Sequence, residues 1–255
     1  MNIYDTLIIG SGYSSVGYAL TNKNCLIVEE TQCCDIHFYL ALKSFMHNEY
    51  SPATEPGKKL MSFFDKYNLF SDGYMLTNAM EAAFCDFLSE QNINIYLKCR
   101  VVSKLLQNDG TYKVTLHSNE GLTTIIAKKI IDTYLISKDC ENYYSILYLT
   151  ENADCAKSAL TEAFPDAEIT RAFYKDRYAM HIPCGNINDV NEMLSTIHDK
   201  WLEAKVKAQI LYTAPVFFKK CQEKHNKTKV FPVDCYFDNP IAAFEAGITF
   251  AGGNR

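Results

Sequence analysis

The stretch YDTLIIGSGYSSVGYAL, from Tyr4 to Leu20, joins an apolar run to a glycine turn and then to a segment of small residues. The apolar residues 7–9 predict a short buried strand that leads directly into the turn, and residues 13–22 predict a helix. The next apolar run, residues 25–28, predicts a second buried strand. This order predicts two parallel strands joined by a right-handed crossover through the helix.

The turn has the spacing Gly10-x-Gly12-x-x-Ser15, and each position meets a separate demand. The first glycine permits a tight strand-to-helix turn, and the second allows a pyrophosphate to approach the backbone closely. A serine at the third position is small enough for the helix to pack on the sheet. The amides at the start of the helix, including those of Tyr13 and Ser14, are expected to face the phosphates. The turn therefore predicts a dinucleotide site.

An acidic residue ends the second strand about twenty positions after the turn, where a ribose-binding carboxylate is expected. Glu29 directly follows Val28 and is the preferred candidate, and Glu30 is the alternative. No arginine lies nearby, so an acid at this position would repel a 2′-phosphate and disfavours NADP. The competing interpretation is a purely structural turn with an incidental acid at the strand end.

The bulk composition narrows the class of protein. The chain has 255 residues, of which 48% are hydrophobic and 22% charged, as in ordinary globular proteins. Its net charge of −5 and the absence of a basic patch argue against nucleic-acid binding. No apolar run approaches the roughly 18 residues of a membrane span, and the N-terminus does not resemble a signal peptide. We expect a cytoplasmic protein that binds no membrane.

Ten cysteines are present, without a C-x-x-C pair or regular spacing, so reduced thiols are expected. Cys25, Cys85 and Cys99 fall in apolar predicted elements, where a thiol behaves as a small hydrophobe. The adjacent pair Cys33-Cys34 is compatible with redox or metal chemistry, but a structural role is favoured. Because the histidines also lack ligand spacing, no metal site is expected.

The rest of the chain predicts an α/β fold with two parts. Residues 1–140 and 229–255 are expected to form a Rossmann-like dinucleotide-binding domain that contains an antiparallel β-meander over residues 100–128. Residues 141–228 alternate strand and helix patterns differently, and they predict a smaller α+β lobe that holds the substrate.

These segments resemble the FAD-dependent oxidoreductases of the glutathione-reductase-like superfamily, which bind FAD on this fold. The resemblance covers roughly the first 135 residues and the last 20. It includes the strand that carries Val101-Val102 and the strand end Ile131-Asp132-Thr133, where the family more often has Ala-Thr-Gly. The resemblance implies that the strand at Val102 contacts the adenine of FAD. It also implies that the pyrophosphate lies over the glycine turn, with the ribose at Glu29.

The resemblance also places a second cofactor motif in IAAFEAGITFAGG, residues 241–253, interpreted as an apolar strand that ends at the flavin. Gly252 and Gly253 are then candidate cofactor contacts. Gly253 stands where the family has the aspartate that holds the ribitol, and too few residues follow for the usual helix. The flavin half of the site is expected to be weak, lost, or completed by a partner chain in a homo- or hetero-oligomer.

Polar residues on neighbouring predicted strands of the second lobe are the weak catalytic candidates: Arg171, Arg177, Tyr178 and His181. The two arginines could bind a substrate carboxylate, and the tyrosine or histidine could donate or accept a proton. The competing interpretation is a strand with one solvent-exposed face, which gives the same alternation of polar residues.

The sequence as a whole predicts an FAD-dependent oxidoreductase that acts on a small organic substrate, with the flavin carrying the redox step. One alternative is a catalytically degenerate subunit of the same fold that needs a partner chain. Another is an enzyme of this fold that binds NAD instead of FAD.

Overall fold

The computed structural model describes residues 2–43, 50–221 and 230–253. The strands of its first half are β1 Ile3–Ile9, β2 Cys25–Val28, β3 Phe70–Ser71, β4 Tyr74–Met75, β5 Asn94–Tyr96, β6 Arg100–Leu106, β7 Tyr112–Ser118 and β8 Gly121–Asp132. Six of them form one sheet in the order β5-β2-β1-β8-β7-β6, and β3 and β4 form a small hairpin. The four strands β5, β2, β1 and β8 are parallel, and β7 and β6 extend them as an antiparallel meander. The predicted Rossmann-like sheet with a β-meander is confirmed.

The parallel strands read as continuous apolar runs because both faces of this sheet are covered. All four residues of β2 are buried, as are the last four of β1. One face packs against the helices of this part of the chain, and the other packs against residues of the meander. The helices are α1 Tyr13–Thr21, α2 Glu55–Lys66, α3 Met80–Gln91, α4 Thr133–Ile136 and α7 Pro240–Gly253.

The C-terminal segment is a helix, so the apolar strand predicted over residues 241–253 is wrong. Helix α7 packs closely against α1, where a side chain on Gly17 would overlap the carbonyl oxygen of Phe244. A side chain on Gly247 would likewise overlap the carbonyl of Ser14. A helix that is apolar on most faces has no clear 3.6-residue period, and its sequence cannot be told from a buried strand by periodicity alone.

The second sheet is antiparallel and contains β9 Glu141–Leu149, β10 Glu168–Arg171, β11 Arg177–Pro183, β12 Gln209–Thr213 and β13 Phe218–Lys220. Helices α5 Ala153–Ala163 and α6 Val190–Glu203 share a separate apolar core with this sheet. The elements match the predicted α+β lobe. The domain boundaries stay a prediction, and residue 229 lies outside the described residues.

Among the described residues, none of the helices has the length and apolar character that crossing a membrane requires.

Candidate functional site

The glycine turn joins β1 to α1 at the carboxyl end of the parallel strands. Gly10 has φ +96°, in the region that disfavours side chains, and a Cβ there would overlap the hydroxyl of Thr133. That hydroxyl donates to the carbonyl of Ile9 at 2.8 Å. Thr133 therefore fixes the end of β8 against the turn and leaves no room for a side chain at position 10.

Glu29 is completely buried beside the turn. Its carboxylate accepts from the amide of Ser11 at 2.8 Å, from the hydroxyl of Ser11 at 3.1 Å and from the amide of Thr31 at 2.8 Å. The phenol of Tyr134 donates to both carboxylate oxygens, at 3.0 and 2.9 Å. Glu30 is exposed. The structure thus brings Glu29 to the turn, where a ribose-binding acid was predicted.

Tyr134 is a site residue that the sequence reasoning missed. Its hydroxyl makes the bond to Glu29 that a ribose hydroxyl was expected to make, and burial together with the charge of Glu29 raises its pKa. A carbon atom of its ring also lies 3.3 Å from the position that a Cβ on Gly10 would take. The sequence carried a signal for this residue. If Thr133 is aligned with the threonine of the Ala-Thr-Gly motif, then Tyr134 stands at the position of the glycine.

Asp234 occupies the N-terminus of α1. Its carboxylate accepts from the amide of Tyr13 at 2.7 Å, from the amide of Ser14 at 3.0 Å and from the hydroxyl of Ser14. These are amides that were predicted to face a phosphate, and a Cβ on residue 12 would lie 2.6 Å from Asp234 Oδ2. Burial raises the pKa of Asp234, and the bonds from Ser14 and Tyr13 oppose that shift.

Asp234 also corrects the interpretation of the second cofactor motif. An aspartate was expected at position 253, followed by a helix, but Asp234 lies at the turn and α7 begins six residues later at Pro240. Gly252 and Gly253 are exposed at the far end of that helix, with no other atom near their Cβ positions. The assignment of the two glycines to the cofactor depended on a strand at this position, and the helix gives it no support.

Little space is left around the turn. A cavity of about 160 Å³ lies beside it, whereas ligand pockets usually hold about 300–1,000 Å³. Ser15 uses its hydroxyl to bond the carbonyl of Gly10 at 3.0 Å. The cavity lining includes Ser11, Ser14, His37, Tyr134, Lys219 and Asp234. The backbone and Glu29 suit a dinucleotide, but Tyr134 and Asp234 already bond the groups that were predicted to bind it.

Val102 lies on β6, the edge strand of the meander, at an irregularity in its pairing with β7. Its side chain is 53% exposed. An adenine contact of this strand stays a prediction.

The candidates of the second lobe lie on neighbouring strands but do not form one constellation. Arg171 pairs with Asp72 at 3.1 Å, whereas the guanidinium of Arg177 stacks 4.2 Å above Tyr174. The Tyr178 ring stacks on Tyr148, with centroids 5.6 Å apart.

His181 is buried in the second sheet and shares a hydrogen bond of 2.8 Å with the hydroxyl of Ser145. Burial lowers its pKa to about 3, with further contributions from Lys43 and Lys220. The imidazole is neutral near pH 7, so it can accept a proton only weakly.

A second cavity, of about 420 Å³, lies between the second sheet and residues 39–42 and 75–77. Its wall is mainly apolar and aromatic, and Arg177 is the cation among its lining residues. The lining includes Tyr39, Leu42, Met75, Tyr174, Arg177 and Tyr212. Its size and lining suit a small organic molecule.

No model of a protein family matches the chain, and no curated protein matches its sequence. Solved structures do match it. A flavoprotein/dehydrogenase from Cytophaga hutchinsonii is 12% identical with a TM-score of 0.53, over 98% of this chain and 77% of that one. L-proline dehydrogenase from P. horikoshii is 11% identical with a TM-score of 0.53, over 98% and 92%.

Aklavinone-11 hydroxylase, solved with FAD and aklavinone, is 11% identical with a TM-score of 0.50, over 99% of this chain and 62% of that one. These identities are low, so the likeness concerns the fold. The chain has the α/β fold of FAD-binding flavoproteins.

Proposed function

We propose that this protein is an FAD-dependent oxidoreductase of the glutathione-reductase-like superfamily that acts on a small organic substrate. One observation carries the proposal. Two buried carboxylates from distant parts of the chain, Glu29 and Asp234, converge on the amides of a glycine turn at the start of α1. This is the arrangement expected for the ribose and ribitol contacts of FAD on a fold of this kind.

The residues fit the cofactor once Tyr134 and Asp234 move. Tyr134 is 41% exposed, and swinging it outward gives up the hydrogen bond that its hydroxyl shares between the two oxygens of Glu29, together with the buried part of its ring. Glu29 would then accept from the ribose hydroxyls, and Asp234 would turn from the α1 amides towards the ribitol. The freed amides of Tyr13 and Ser14 would hold the pyrophosphate. When bound, the flavin supplies the redox chemistry, while the protein supplies orientation and electrostatics.

The cavity at the second sheet is the proposed substrate site. Its apolar and aromatic wall would bind the body of the substrate, and Arg177 would pair with a carboxylate or another anionic group. Arg171 is held by Asp72 and is less available for this role.

A second candidate function rests on the same turn. Because Tyr134 already bonds Glu29 and Asp234 already bonds the α1 amides, the turn needs no ligand to satisfy its polar groups. The protein would then be a nucleotide-free member of this fold that acts as a subunit with a partner chain. NAD in place of FAD is the third alternative.

Flavin retention tests these alternatives. We expect the purified protein to show the visible absorption of flavin, or to gain it after incubation with FAD. Added FAD should raise the melting temperature, because a ligand present at 100 times its Kd stabilises the fold by about 2.7 kcal/mol. Tyr134→Gly should bind FAD more tightly than the wild type, since it removes the occupant of the ribose position.

The controls use acids in matched positions. Glu29→Gln and Asp234→Asn should weaken FAD binding, whereas Glu30→Gln alters an exposed neighbour of Glu29 and should leave it unchanged. If even Tyr134→Gly stays colourless and gains no stability from FAD, the nucleotide-free subunit is supported instead. Stabilisation by NAD alone would support the third alternative.

A further inference from the structure

Three side chains with metal-binding chemistry lie together where the segment after β2 meets α3. Cys34 follows β2, and Glu81 and Cys85 lie one turn apart on the same face of α3. One ligand atom from each of the three lies within 4.8 Å of the others. The Sγ atom of Cys85 is 3.7 Å from Oε1 of Glu81.

We propose that Cys34, Glu81 and Cys85 bind a zinc ion. Thiolate sulfur favours zinc over magnesium or calcium, and carboxylate oxygen is also a common zinc ligand. In tetrahedral geometry, zinc at its usual distances from sulfur and oxygen separates two such ligand atoms by about 3.6–3.8 Å. The observed spacing needs only a small contraction to reach that geometry.

The hydrogen bonding of Glu81 supports this proposal. Its Oε1 atom accepts from the amide of Cys34 at 3.0 Å, which orients the carboxylate towards the two sulfur atoms. Its Oε2 atom is buried and has no hydrogen-bond partner among the described residues. A buried, unpaired carboxylate oxygen is unfavourable, and a bound cation would satisfy it.

The site offers three protein ligands and one position for water. Cys85 is exposed, which gives an ion access from solvent, whereas Cys34 is buried. The ion would connect the segment after β2 to α3, which also packs on the turn, since the rings of Tyr13 and Phe84 stack at 4.2 Å. Zinc would thereby brace the start of α1 through this contact between α3 and Tyr13.

The sequence spacing concealed this cluster. Cys34 is 47 residues from Glu81, so no short ligand motif exists. Cys85 was expected to be a buried small hydrophobe, but it is exposed, and that expectation is wrong. Cys33 and Cys34 are both buried, and the second of them reaches the cluster.

The test uses the full chain, chelator-treated, reduced and free of flavin, so that its outcome is independent of FAD binding. Zn²⁺ titrated by calorimetry should bind at one ion per chain, and Co²⁺ should give thiolate-to-metal charge-transfer absorption. Cys34→Ser and Cys85→Ser should each weaken binding by at least about tenfold, as should Glu81→Gln. Mg²⁺ should not compete.

Other thiols provide the controls. Cys33→Ser changes the neighbour of Cys34, and Cys140→Ser disrupts a separate pair, in which Cys140 Sγ lies 3.6 Å from Cys235 Sγ. Both variants should bind zinc as the wild type does. The proposal is overturned if the wild type binds no zinc, or if the Cys34→Ser/Cys85→Ser double variant keeps the Co²⁺ spectrum. It is also overturned if mass spectrometry of the reduced sample shows a persistent disulfide between Cys34 and Cys85.

Discussion

The glycine turn and the cavity at the second sheet both suit ligands, but they differ in what occupies them. At the turn, protein groups already bond the residues that were predicted to bind a nucleotide: a phenol bonds Glu29, and a carboxylate bonds the amides of α1. At the second sheet, a cavity of about 420 Å³ has apolar walls and one stacked arginine. One region is closed by its own side chains, and the other has room.

The difference teaches that the polar groups of a buried turn need protein partners, whereas an apolar cavity does not. Buried polar groups are costly when unpaired, so the amides of α1 and the carboxylate of Glu29 need partners. Asp234 and Tyr134 supply them. The walls of the second cavity are mostly apolar and need no such partners, so that cavity stays open without penalty from unpaired groups.

The glycine turn and the second sheet also hold ionisable groups whose pKa values shift in opposite directions. Burial raises the pKa of Asp234 at the turn and lowers that of His181 in the second sheet. Both shifts favour the neutral form of the group. Because Asp234 is an acid and His181 is a base, a lower pH favours folding through Asp234 and opposes it through His181.

The largest expected effect tests how tightly the turn is filled. Gly10→Ala should lower the free energy of unfolding by about 3 kcal/mol or more, because it combines an unfavourable φ with overlap of Thr133. Gly110→Ala is the matched control, since it has φ +81° and no atom near its Cβ position. It should cost only about 1–2 kcal/mol. Urea denaturation measures both, and equal losses would mean that the turn is not tightly packed.

An intermediate effect on the free energy of unfolding is expected when a tyrosine beside the turn is changed, in comparison with a tyrosine of the cavity wall. Tyr134→Phe removes a hydrogen bond to the buried carboxylate of Glu29 and should cost about 1.5–3 kcal/mol. Tyr174→Phe changes a tyrosine of the cavity wall that is 44% exposed, and should cost less than about 0.5 kcal/mol. Thermal and urea unfolding of both variants measure the difference. A loss at Tyr174 that matches the loss at Tyr134 would contradict the contrast between the regions.

The smallest effect, taken per pH unit, appears in the pH dependence of stability. Unfolded histidine has a pKa of about 6.5, while that of His181 is about 3 in the fold. The stability from neutral His181 is complete above about pH 6.5 and is lost as the pH falls towards 3. Relative to His181→Asn, the wild type should lose up to about 1.4 kcal/mol per pH unit below 6.5. Urea unfolding between pH 7 and pH 4 measures this slope.

The comparison of the wild type with Asp234→Asn should give a pH dependence of stability of the opposite sign. The raised pKa of Asp234 means that its contribution is complete below the unfolded value of about 3.9 and is lost as the pH rises through the folded value. The wild type should therefore gain stability relative to this variant as the pH falls. Parallel slopes for the two variants would show that the regions do not differ in this way.

Local patterns were sufficient to predict most of the first sheet. The apolar runs of β1 and β2, the glycine turn between them and the acid at the end of β2 are all short-range features. Strand pairing through a meander is also local, because tight turns join consecutive strands. Helix α3 has the same local character, because its buried apolar residues recur at helical spacing: Met80, Ala83, Phe84, Phe87 and Leu88.

The C-terminal segment shows where local patterns fail. Its apolar residues suit a strand or a buried helix equally well, and packing against α1 decides for the helix. With that segment assigned as a strand, its helix and the preceding Asp234 were not considered as part of the site. Only the fold shows that Asp234 reaches the turn.

The sequence by itself determined the βαβ unit, the glycine turn and the place of Glu29, because each depends on residues close together in the chain. Only the tertiary structure decided what fills the turn, since Asp234 bonds Tyr13 across 221 positions and Tyr134 bonds Glu29 across 105. It also decided that Cys34 meets α3 and that His181 is neutral. Such contacts depend on burial and on packing between distant segments, and no local pattern of apolar or polar residues encodes them.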